Sequence, residues 1–150
     1  MRLIIFLIIS LIFSVNVISS EKAKTSTLEI VVNNIDSDTG YLRVHLYDLD
    51  RAEEFPDKSH NAYKFKLVKI SNGKGKVKFE NIPYGKYAAT LHHDSNTNAK
   101  MDKTWLGMPD EGWGLSTDVI PVFSLPSFEE CSFDVNKSYV KYEILMRYLP

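Results

Sequence analysis

A second cysteine is missing. Cys131 is the only one in 150 residues, so no internal disulfide can form and stability has to come from a buried core. An unpaired Cys131 reads as a small buried hydrophobe. Charge of one sign is also missing: 18 Lys and Arg face 19 Asp and Glu, a formal net charge of −1. That balance gives no reason to expect nucleic acid as a partner. Glycine and proline number 7 and 6 and fall singly between patterned runs, with no low-complexity segment and no linker. Beyond residue 20 there is no apolar run long enough to span a bilayer. No Gly-x-Ser-x-Gly elbow of a serine hydrolase occurs.

The N-terminus does hold an apolar run. Arg2 precedes apolar residues over 3–9 and 11–13, and small residues arrive at Ser19 and Ser20. This is the shape of a secretory signal, residues 1–20, and it implies export to the periplasm or outside the cell with no membrane span left after processing; an uncleaved N-terminal anchor is the alternative. Residues 21–26 read as a loose polar segment, and 27–150 as one domain.

Period-two alternation runs through that domain. Leu28, Ile30 and Val32 alternate with polar neighbours, then a turn cluster of Asp36, Ser37, Asp38 and Gly40 leads to Leu42, Val44 and Leu46. The two runs are expected to pair as a hairpin. Alternation resumes over 62–70, at Val77 and Phe79, over 87–93, at Phe133 and Val135, and from Val140 to Tyr148. One helical turn is expected near 51–55, and Ser127 with Glu130 has the spacing of a capping box. Six to seven short strands predict an all-β, antiparallel sandwich with one long ordered loop after the strand over 87–93.

That loop concentrates the chemistry. Asp94, Asn96, Asn98 and Asp102 recur so that a curled loop aims oxygens inward, as a hard cation such as calcium requires. With Asp94 as position one of an EF-hand, Asn96, Asn98 and Asp102 fall at three, five and nine, and the Lys100 carbonyl at seven. Position twelve is Trp105 instead of Glu, and no helices flank the loop, so an EF-hand is excluded and weak Ca²⁺ binding is expected. The competing reading is a loop held by its own Asx-turns. His92 is expected to face solvent and His93 the edge of the core. Trp105, Glu111 and Trp113, the last between Gly112 and Gly114, form a candidate ligand or partner surface. A hydrolytic reading would combine His93, Asp94 and Ser116, although neighbours on a strand point apart.

Gly75, Val77, Phe79, Ile82, Pro83, Gly85 and Tyr87, followed by His93, Asp94, Asn98 and Asp102 and then Gly107, Pro109, Glu111, Gly112, Trp113, Gly114 and Ser116, resemble domain-of-unknown-function family 2141. The resemblance covers nearly the whole chain after residue 20, Pro126, Ser127 and Phe128 included. It implies a transthyretin-like (prealbumin-like) sandwich in a small exported bacterial protein with no assigned activity. One position departs: Ala99 stands where the family has Gly. On these grounds the chain is expected to be a monomeric, non-enzymatic binding or envelope module. Its partner would be an envelope protein or a glycan, and Ca²⁺ its only candidate cofactor. A hydrolase and a structural accessory domain are the alternatives.

Overall fold

The computed structural model describes residues 24–117, 119 and 124–149. The expected signal stretch lies outside these residues. Alternation resolves into eight strands rather than six or seven: β1 (Thr25–Asn33), β2 (Tyr41–Asp48), β3 (Lys64–Val68), β4 (Gly75–Pro83), β5 (Gly85–Asp94), β6 (Gly112–Leu115), β7 (Phe133–Val135) and β8 (Tyr139–Leu145). The first strand takes up Thr25 and Ser26, the end of the segment expected to be loose. Two sheets form, ordered β4-β1-β8 and β3-β2-β5-β6, and β7 pairs with the start of β5.

Two expectations about pairing fail. The first two runs form no hairpin, because β1 pairs with β4 and β8 while β2 pairs with β3 and β5. Alternation fixes which side of a strand meets the core, not which neighbour it bonds. The connection between β1 and β2 instead carries the chain from one sheet to the other. There the Asp38 carboxylate accepts from the N–H groups of Asn72 and Gly73 at 2.8 and 2.9 Å, clamping the β3–β4 turn. Nor is the sandwich wholly antiparallel, since β1 and β8 run parallel from Thr27–Tyr139 to Asn33–Leu145.

Between the sheets, Leu28, Ile30, Val32, Leu42, Val44, Leu46 and Ile82 are wholly buried, with Phe79, Leu91, Ile144 and Met146 nearly so. Ile82 reaches this core through a register shift between Ser26 and Leu28. Asn81 takes a φ of 55° there, and the extra residue turns its successor inward. A second, smaller core covers the outer face of the second sheet, where Tyr47, Ala88 and Leu115 meet Phe55, Phe128 and Cys131. Its cover is a 3₁₀ segment, Leu49–Glu54, close to the expected helical turn, and α1 (Phe128–Cys131), with its capping box between Ser127 and Glu130 formed. Burial pushes the Cys131 thiol pKa up. No helix among the described residues is long and apolar enough to cross a membrane.

Candidate functional site

The end of β5 sends three polar side chains to alternate faces. His93 goes inward and is 1% exposed. Its Nε2 lies 2.9 Å from the Thr39 carbonyl, which can only accept, so Nε2 carries a proton; Nδ1 lies 2.8 Å from the Tyr148 hydroxyl and 3.3 Å from Asp36 Oδ1. His93 therefore ties β5 to the β1–β2 connection and to the C-terminal residues, not to the loop that follows it.

His92 goes outward, yet it does not face solvent as expected. The long loop folds back over the sheet, leaving His92 8% exposed, with Nε2 2.7 Å from Glu111 Oε2. Glu111 was expected on a surface and is turned inward at 7% exposure. Its Oε1 accepts from the Ser95 N–H and hydroxyl at 3.0 and 3.1 Å, and Oε2 also accepts from the Asp102 N–H at 3.2 Å. Burial alone would raise the Glu111 pKa; the His92 contact and the two backbone N–H groups outweigh it and hold the carboxyl below its usual value. This one carboxylate pins both ends of the loop to β5.

Of Asp94, Asn96, Asn98 and Asp102, the last three meet one another, while Asp94 bonds elsewhere. Asn96 Oδ1 accepts from the Asn98 N–H at 3.1 Å and Asn98 Oδ1 from the Lys100 N–H at 2.7 Å, two successive Asx-turns. Both side-chain amide nitrogens donate to the Asp102 carboxylate, Asn96 at 2.6 Å and Asn98 at 3.0 and 3.1 Å. Asp94 Oδ2 accepts from the Ala99 N–H at 3.0 Å and from Arg43 Nη1 at 3.3 Å. Ala99 has a φ of 64° and Thr97 of 62°, so the curl needs the left-handed region twice, at residues that are not glycine.

Asp94 Oδ1 has no hydrogen-bond partner among the described residues, in a residue 1% exposed. A buried carboxylate oxygen without a donor carries a desolvation cost, and a cation is one way to remove it. His92, Asp94 and Glu111 also offer donor atoms within 4.8 Å of one another. The Glu111 oxygens, however, already accept from four donors. The lone pairs without a donor lie on Asp94 Oδ1, and the oxygens of Asn96, Asn98 and Asp102 in the loop that follows, all engaged in hydrogen bonds, are of the kind a hard cation takes.

The remaining residues separate. Trp105 is 91% exposed at the tip of a tight turn in which the Gly107 N–H bonds the Thr104 carbonyl. Trp113 is half-buried on β6, opposite His92. The glycines beside it do not serve to present its ring. A Cβ on Gly112 would stand 2.5 Å from the Tyr148 ring, and one on Gly114 3.0 Å from Leu91 Cδ1. Ser116 is buried, donating to the Cys131 carbonyl and accepting from the Ala89 N–H at 2.9 Å. His93, Asp94 and Ser116 thus belong to three separate hydrogen-bond networks.

Local patterning did not mark Arg43 and His45 as site residues. They are outer-face positions of β2, opposite Leu42, Val44 and Leu46, and such positions usually meet water. The length of the returning loop was the available signal. The Arg43 guanidinium carbon lies over the Phe65 ring, 5.0 Å from its centre, and His45 stacks on the same ring at 4.8 Å. Burial, with Arg43 and His92 nearby, holds the His45 pKa down to about 4.

These features define a two-sheet β-sandwich with one face covered by a loop of consecutive Asx-turns. The chain belongs to the family described as "Uncharacterized protein conserved in bacteria (DUF2141)", matched over residues 30–143. No curated protein and no solved structure matches it.

Proposed function

We propose that this protein is an exported, non-enzymatic binding module of the bacterial periplasm or cell exterior, its long loop ordered by a weakly held calcium ion. The basic and apolar start of the chain supports export. The buried, unpartnered Asp94 Oδ1 supports the cation and is the observation on which it rests. Asp94, the side-chain oxygens of Asn96 and Asn98, the Lys100 carbonyl and Asp102 would hold the ion, with water completing the six to eight oxygens calcium takes. The ion would replace the amide nitrogens as the charge partner of Asp102. The separation of His93, Asp94 and Ser116 into unrelated networks supports a role without catalysis.

Calcium that binds only the folded state has to stabilise it. At about 10 mM, some ten times a dissociation constant of about 1 mM, the gain is about 1.4 kcal/mol, or a rise of about 3 to 8 °C in Tm. Asn98→Ala should abolish that rise while leaving a cooperative transition. Thermal unfolding with calcium and with chelator decides: a Tm that does not move overturns the calcium reading and leaves a loop held by its own hydrogen bonds.

A further inference from the structure

A cleft of about 690 Å³ lies on the outer face of the second sheet, within the range of small-molecule sites. Arg43 and His45 of β2 and His92 of β5 line its floor, Trp113 of β6 one side, and Lys100, Met101 and Met108 of the long loop the wall. The lining is uneven in charge. Among the described residues, Arg43, Lys100 and Lys103 face it with a single carboxylate, Asp57, against them. The apolar part is supplied by long, adaptable side chains and an indole, which suits a flexible or planar body more than a rigidly shaped one.

We propose that this cleft binds a small amphipathic carboxylate, its head on Arg43 and His45 and its apolar body along Met101, Met108 and Trp113. Arg43 gives one nitrogen to Asp94 at 3.3 Å, and its guanidinium, held over the Phe65 ring, has further N–H groups to meet the ligand. His45 is neutral at pH 7, given its low pKa, and so keeps one ring N–H to donate. Ala99, Lys100 and Met101 belong both to the cation loop and to the cleft wall. The inference therefore rests on the reading of that loop as an ordered binding element, and it adds the ligand class and its location.

The probe is octanoate, with octan-1-ol as the uncharged control of the same length. The chain has two tryptophans, so Trp105→Phe leaves Trp113 as the only indole, inside the cleft. Octanoate should shift its emission saturably and bind at least about tenfold tighter than octan-1-ol, the margin of one charge-assisted hydrogen bond. Arg43→Lys, which keeps the charge facing Asp94 but loses the planar fork, should weaken octanoate about threefold or more and leave octan-1-ol unchanged. Equal affinity for acid and alcohol, or no saturable response to octanoate, overturns the proposal. Both titrations are repeated with calcium and with chelator. Octanoate binding without a calcium effect on Tm removes the cation and keeps the cleft; a calcium effect without octanoate binding does the reverse.

Discussion

Ala99 holds a φ of 64°, a conformation that costs a residue with a Cβ about 1 kcal/mol relative to glycine. Its N–H is committed to Asp94 Oδ2, so the strain is maintained by a buried carboxylate. Ala99→Gly is expected to raise stability by about 1 kcal/mol in urea unfolding and to tighten calcium as the loop is relieved. An unchanged or lower midpoint would show that the strain is absorbed elsewhere. His45 sets a different dependence. Its folded pKa of about 4 lies below the ordinary value of 6.5, so the unfolded chain takes up the proton first as pH falls. Stability should therefore drop from about pH 6.5 down to about pH 4, by on the order of 2 to 3 kcal/mol. His45→Gln should flatten the upper part of that slope, above the pH at which carboxylates such as Glu111 and Asp38 begin to take up protons. Titrating both proteins by urea midpoint checks it.

At the scale of elements, β6 is the strand by which the loop returns to β5, and its backbone runs close to Tyr148 and Leu91. Gly112→Ala places a methyl 2.5 Å from the Tyr148 ring and should cost about 1 to 3 kcal/mol, read as a lower Tm. The capping box at Ser127 is worth about 1 kcal/mol, and Ser127→Ala should loosen α1 over the smaller core by that amount. Most strands were legible because Leu28, Val44, Phe79 and Leu91 alternate cleanly with polar neighbours. Their partners were not, since period two says nothing about which edge a strand meets. The Asx-turns that bring Asn96 and Asn98 to Asp102 were legible from local spacing. The His92–Glu111 pair was not. Those residues are far apart in sequence and meet only because β5 and β6 pair His93 with Gly112.

Across the whole molecule, one sheet has two working faces. The inner side of β2 and β5 builds the main core, while the outer side builds the second core at one end and the cleft at the other. A substitution on either strand thus reaches both stability and the candidate site. The other sheet depends on β8, which bonds β1 along its full length. Removing residues 139–150 should strip that edge bare and abolish the cooperative transition, giving aggregation on size-exclusion chromatography. The same pairing governs timing. Thr27 meets Tyr139 and Asn33 meets Leu145, so the first sheet cannot be finished until the last strand has been synthesised. Such distant closures put folding in the millisecond-to-second range. Until then β1 stands as an open edge, and an open edge is where a second chain can add a strand of its own.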